Sequence, residues 1–93
     1  MINEWHDKEA EKIWNMKFSN KIPHDIQRVA RRKLIMINSA SSINDLRIPP
    51  SNHLEELKGD RLGQYSIRIN NQYRICFHWN NDNVVIEDIC DYH

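Results

Sequence analysis

The sequence predicts an α+β domain, with two N-terminal helices packed on one face of a small antiparallel sheet. Three observations predict it. Apolar residues recur at helical spacing before Ser39. After Tyr65 they alternate with polar residues in the period of a strand. The connections between the alternating segments are short, which suits an antiparallel meander.

Taken in order, Ile2 to Trp5 reads as a short edge strand. Asp7 reads as an N-cap, and Ala10, Ile13, Trp14 and Phe18 fall close to one helical face. Ser19 to Pro23 is a break. Pro23 suits the first turn of a second helix running to about Ser39. Its apolar face is Ile26, Val29, Ala30, Leu34 and Ile37. Arg28, Arg31, Arg32 and Lys33 cover much of the rest, as a solvated face or as an electrostatic surface for rRNA or an acidic partner. Pro49-Pro50 stiffens the connection from Ile43 to Asn52.

Strands are expected over His53–Lys58, Gln64–Ile69, Tyr73–Trp79 and Val84–Cys90. Tyr65, Ile67 and Ile69 share one face, as do Tyr73, Ile75, Phe77 and Trp79. Asn70-Asn71 suits a tight hairpin because Asn tolerates positive φ, and Asn80 to Asn83 supplies the next turn. With the helices on the aromatic-rich face, Arg68, Arg74 and His78 are left on the opposite, open face. A two-residue loop would put the two arginines on opposite faces. Keeping both apolar sets on one face requires a loop of odd length instead.

Ninety-three residues make one domain, residues 1–93. Hydrophobic residues form 40% of the chain and charged residues 28%, as in a water-soluble protein. No apolar run approaches the ~20 residues of a membrane span. The first residues lack the basic and apolar regions of a signal peptide, so the expected location is the cytoplasm. Cys76 and Cys90 lie in expected strands without metal-ligand spacing and read as buried thiols; neither a metal nor a cofactor is expected. Net charge is zero, but unevenly spread. Residues 1–47 carry nine Lys+Arg against six Asp+Glu, net +3, and residues 48–93 carry four against seven, net −3. Any affinity for nucleic acid must therefore come from a local basic patch.

The stretch from Leu57 to Phe77 holds Leu57-Lys58-Gly59 and Tyr73-Arg74-Ile75, and the chain ends on Asp91-Tyr92-His93. That combination resembles the HigB branch of the RelE/ParE toxin superfamily, small bacterial toxins of toxin–antitoxin pairs. The resemblance covers nearly the whole chain and is most specific from Pro49 to His93. It implies a RelE-like fold and mRNA cleavage on the ribosome without a metal. Such cleavage needs a base for the 2′-OH, cations for the phosphate and an acid for the departing 5′-oxygen. By resemblance, Asp91, Tyr92, His93 and Arg74 are catalytic. Lys58, Arg68 and His53 are the phosphate or RNA contacts. An imidazole such as His93, with an ordinary pKa near ~6.5, suits proton transfer.

His53 departs from the family pattern. The histidine of one family motif stands three residues before the lysine, where this chain has Glu55, while His53 stands two residues earlier. On an extended strand that keeps the same face but moves ~6.6 Å along it. The implied partners are a HigA-like helix-turn-helix antitoxin, the 70S ribosome and mRNA, with operator DNA reached only through the antitoxin. Two other readings share the fold: a ParE-like toxin that blocks DNA gyrase, and an inactive module that binds the antitoxin and operator DNA.

Overall fold

The computed structural model describes residues 1–81 and 83–91. The regular elements are β1 (Ile2–Trp5), α1 (Lys8–Trp14), α2 (Gln27–Ser39), β2 (Glu55–Glu56), β3 (Gln64–Arg68), β4 (Tyr73–Asn80) and β5 (Asn83–Asp91). The strands form one sheet in the order β1-β5-β4-β3-β2. The α+β class and the mainly antiparallel sheet match expectation. The exception is β1, which pairs parallel to β5. Both helices lie between β1 and the other strands, and a parallel pair requires a long connection of that kind.

Ile67, Ile69, Ile75, Phe77, Val84, Ile86 and Ile89 of the sheet half meet Ala10 and Ile13 of α1 and Ala30, Leu34 and Ile37 of α2 in one core. Asp7 caps α1, its Oδ1 accepting the Glu9 N–H at 2.9 Å. The helix is shorter than its apolar spacing suggests. Met16 takes a left-handed φ of 62° just beyond it, and Phe18, expected on the buried face, lies outside the helix and is 59% exposed. Pro23 precedes a 3₁₀ turn, His24–Ile26, which feeds directly into α2.

Lys33 departs from the basic helix face to which its spacing assigned it. It is buried, and its Nζ donates to Asn52 Oδ1 at 2.6 Å. Asn52, fully buried, donates in turn to the Leu46 carbonyl at 3.2 Å. Burial pushes the Lys33 ammonium below its usual pKa, and the charge of Arg32 adds to the shift. This bond fastens the 3₁₀ turn Pro50–Asn52 to α2.

The strand expected over His53–Lys58 contracts to Glu55–Glu56. His53 closes the preceding 3₁₀ turn at φ 45°, so it is not extended. At the other end Gly59 turns the chain away at φ 65°. The β3–β4 loop has the odd length that the core faces require: Ile69 and Tyr73 close it, with Ile67 opposite Ile75 and Arg68 opposite Arg74. Positive φ plays no part at Asn70 or Asn71. Asn70 works through its side chain, whose Oδ1 accepts the N–H groups of Gln72 and Tyr73 at 2.9 and 2.8 Å.

A bulge interrupts β4–β5. Phe77 pairs with Ile86 and Cys76 with Asp88, which leaves Glu87 as the extra residue of β5. The parity of β5 flips there, so Ile86 and Ile89 both reach the core while Asp88 and Cys90 fall on the face of Cys76 and Arg74. The Glu87 carboxylate ties three strands together: it meets His6 Nδ1 beyond β1 at 3.0 Å and His78 Nδ1 of β4 at 2.6 Å. His6 also meets Glu4 at 2.6 Å.

Two outcomes follow for stability. Asn52→Ala strands a buried ammonium and should cost about 2–3 kcal/mol in urea unfolding. The double variant Lys33→Met with Asn52→Leu should cost less than Asn52→Ala alone. The second outcome concerns pH. Bonds to Glu4 and then Glu87 hold the His6 imidazole above its ordinary 6.5. Burial raises the Glu87 carboxyl, but His78 and His6 outweigh it and leave the net value lowered. The His6 contribution is complete below about pH 6.5 and is lost as pH rises through its raised value. The Glu87 contribution is lost only as pH falls through its depressed value. The melting temperature should thus be higher near pH ~6 than near pH ~8, and His6→Gln should flatten the difference.

Candidate functional site

The odd β3–β4 loop puts Arg68 and Arg74 directly opposite each other on the sheet face away from the helices. Like charges in that position repel, so each guanidinium needs acceptors. Arg68 donates from Nε to the Asn70 carbonyl at 3.0 Å and from Nη2 to Asn71 Oδ1. Arg74 is not on an open face as expected; it is 6% exposed. Its Nε donates to Ser66 Oγ at 2.8 Å and its Nη2 to the His53 carbonyl. Glu55 Oε1 stands 3.9 Å from the same Nη2. These neighbours arrive from β2, β3 and the turn ahead of β2.

Between the arginines lies a small cavity of about 220 Å³, lined by His53, Arg68, Asn70, Asn71 and Arg74. His53 therefore joins the site, although not by the route its spacing suggested. It is exposed and borders the cavity while its carbonyl holds Arg74. The reasoning that placed its side chain along an extended strand does not apply to a residue at φ 45°.

A second cavity, of about 320 Å³, lies on the other side of Arg74 and is bordered by Arg61, Ser66, Cys90 and Asp91 among others. Asp91 closes β5 opposite Tyr73, and its Oδ2 accepts from Gln72 Nε2 at 3.0 Å. Arg74 is shared by both cavities. Lys58 stands at the start of the 3₁₀ turn Gly59–Arg61, is exposed, and borders neither cavity among the described residues. Tyr92 and His93, the other two expected catalytic residues, lie outside the described residues.

Arg61 was assigned no role from the sequence, yet it borders the second cavity. Its two Nη atoms grip Asp88 at 3.0 and 2.9 Å, and Nη1 also donates to Gln64 at 2.8 Å. The Asp88 carboxylate raises the already high pKa of Arg61 further, so it is a permanent cation. Ser66 was likewise assigned no role, yet its hydroxyl holds Arg74. Cys76, Asp88 and Cys90 bring three possible metal-ligand atoms within 4.8 Å of one another, but both Asp88 oxygens are already engaged by Arg61.

Comparison with known proteins agrees with this architecture. The family model for the RelE-like toxin of type II toxin–antitoxin system HigB matches residues 3–93. Toxin HigB-1 of Vibrio cholerae serotype O1 is 39% identical over 94 residues, covering 100% of this chain and 98% of that protein. An uncharacterized protein of Haemophilus influenzae is 48% identical over 65 residues; the match covers 70% of this chain and 64% of that protein. Among solved structures, YoeB in a YoeB–YefM complex from Staphylococcus aureus superposes with a TM-score of 0.63 at 21% identity, covering 100% of this chain and 98% of that one. A point mutant of YafQ from E. coli gives 0.62 at 13% identity, covering 98% and 91%. At such identities these structures speak to the fold. The HigB model and the full-length relative speak to the family, and the chain belongs to the HigB-like, RelE-like toxins of type II toxin–antitoxin systems.

Proposed function

We propose that this toxin is an endoribonuclease that cuts mRNA on the translating ribosome. The observation that carries this reading is the Arg68–Arg74 pair, two opposed cations around a cavity. Holding like charges face to face is unfavourable on its own, and an anion between them relieves it. A phosphodiester supplies that anion. Arg74 and Arg68 stabilise the charge that builds on the phosphate in the transition state. Asp91 and His93 divide the proton transfers, one taking the proton of the 2′-OH and the other protonating the departing 5′-oxygen. Tyr92 stacks on a base or passes a proton. Lys58 and His53 hold the flanking RNA. The products are a 2′,3′-cyclic phosphate or 3′-phosphate end and a 5′-OH end.

Zero net charge supports dependence on the ribosome. Affinity for free RNA grows with the number of phosphates neutralised, and a site of a few cations gains its positioning from a larger assembly. The match to the HigB model supports cleavage over gyrase inhibition. The family also supports a HigA-like helix-turn-helix antitoxin as partner, with operator DNA reached through it. Among the described residues, no helix is long and apolar enough to cross a membrane, which fits action in the cytoplasm.

Mapping mRNA 5′ ends after brief expression tests the reading. New 5′-OH ends should appear within translated frames and vanish when initiation is blocked. Rapid cutting of purified RNA at physiological salt without ribosomes would contradict the dependence. In single-turnover cleavage on programmed ribosomes, deletion of His93 and Arg74→Ala should each slow the reaction by ~10²–10⁴. His53→Ala should cost less. Equal rates for the wild type and the His93 deletion would refute the assigned proton transfers.

A further inference from the structure

The wall of the second cavity holds a chemical group that phosphate binding leaves idle. Cys76 on β4 and Cys90 on β5 bring their Sγ atoms to 2.9 Å. The two residues are not directly opposite. Cys76 pairs with Asp88 and Cys90 with Arg74, so the thiols meet on the diagonal. The Glu87 bulge lies beside this crossing. A bulge increases local twist, which draws one diagonal of the ladder together. Cys76 is buried at 2% exposure and Cys90 is half-buried, and both border the cavity with Arg61, Arg74 and Asp91.

We infer that Cys76 and Cys90 form an oxidation site, in which a hydroperoxide attacks from the cavity, Cys90 is the first sulfur oxidised and Cys76 resolves it to an intramolecular disulfide. Three observations favour this division of roles. Cys90 is the more accessible of the two. Two guanidinium groups, those of Arg61 and Arg74, border the same cavity and favour an anionic sulfur. Cys90 Sγ reaches the Arg74 carbonyl at 3.7 Å, and the two thiols share a hydrogen bond in which either sulfur can donate. That bond holds the Cys76 pKa up and lowers that of Cys90; Arg61 and Arg74 assist the lowering, against burial and the Asp88 charge.

The chemistry balances without any further reagent. The Cys90 thiolate attacks the outer oxygen of the hydroperoxide, the O–O bond breaks, and the alcohol or water leaves with the proton that Cys90 gave up. The Cys76 sulfur then attacks the Cys90 sulfenic acid. The S–O bond breaks, and the departing hydroxide takes the Cys76 proton as water. Two thiols lose two electrons and two hydrogens, and the O–O bond gains the electrons. The competing use of this cluster, a soft metal cation on Cys76, Cys90 and Asp88, would have to displace Arg61 from both Asp88 oxygens.

The test uses the full-length reduced protein and dilute hydrogen peroxide, and it reads thiol chemistry whether or not the protein cuts RNA. Intact mass should fall by two hydrogens, peptide mapping should recover Cys76 linked to Cys90, and dithiothreitol should restore the original mass. Cys76→Ser should accumulate a dimedone-reactive sulfenic acid at Cys90. Cys90→Ser should react with peroxide about tenfold more slowly than wild type. Circular dichroism of both variants checks folding, and the wild-type mass measurement stands if either fails to fold. Three results would overturn the inference: disulfides only between chains, equal and slow alkylation of the two thiols with no linked peptide, or stoichiometric zinc binding that leaves both thiols resistant to peroxide.

Discussion

A guanidinium leaves water only where hydrogen-bond acceptors replace the solvent it gives up. Arg74 sits within the sheet at 6% exposure, and much of the local architecture exists to meet that need. Ser66, on the neighbouring strand, supplies a hydroxyl at 2.8 Å. The His53 carbonyl supplies another acceptor, and it can do so only because the backbone at His53 turns left-handed instead of continuing as a strand. That turn is in turn anchored by Asn52 to the buried Lys33 of α2. A chain of polar contacts thus runs from a helix on the core side to the arginine on the opposite face. The Lys33–Asn52 and Arg74–Ser66 links are buried, so each is felt more strongly than a surface contact of the same length. Arg74 is consequently a cation of fixed position, which is what binding a phosphate in one orientation requires.

The β5 bulge performs the complementary task. Without the extra residue at Glu87, strict alternation after Ile86 would turn Ile89 out of the core and bury Asp88 and Cys90 against the helices. With it, the first part of β5 fills the core and the last part serves the opposite face. Arg61 then finds Asp88 within reach, and the thiols of Cys76 and Cys90 come together in the same cavity wall. One inserted residue therefore organises both the second cavity and its charged rim. Glu87 itself is not wasted: its carboxylate links β1, β5 and β4 through two histidines.

Much of this frame is legible in the sequence where the constraint is local. The apolar parity of Ile67, Ile69, Ile75 and Phe77 requires an odd loop, and the odd loop sets Arg68 against Arg74. The Asp7 cap and the core face of α2 follow from helical spacing in the same way. What escapes the sequence depends on partners far along the chain. Lys33 and Asn52 are 19 residues apart, Arg74 and His53 are 21 apart, and Arg61 and Asp88 are 27 apart. No periodicity marks such pairs. The left-handed Met16 that ends α1 and the bulge at Glu87 are likewise unmarked in the sequence, since neither carries the glycine that would announce a break. Arg74, Lys58 and the Asp91-Tyr92-His93 segment stand out in the sequence through their resemblance to family motifs, whereas Ser66 and Arg61 emerge only from the folded geometry.

Arg74 is a fixed, partly desolvated cation, and the Nε–H signal of its guanidinium in ¹⁵N-resolved NMR reports on this most directly. The Arg74 Nε–H resonance should be resolved, displaced from those of the exposed arginines and slow to exchange with water. Ser66→Ala should accelerate that exchange while the backbone amides of β4 keep their protection. An Arg74 Nε–H signal that exchanges as fast as those of Arg28 and Arg32, in a protein whose β4 amides remain protected, would contradict a fixed, partly desolvated Arg74.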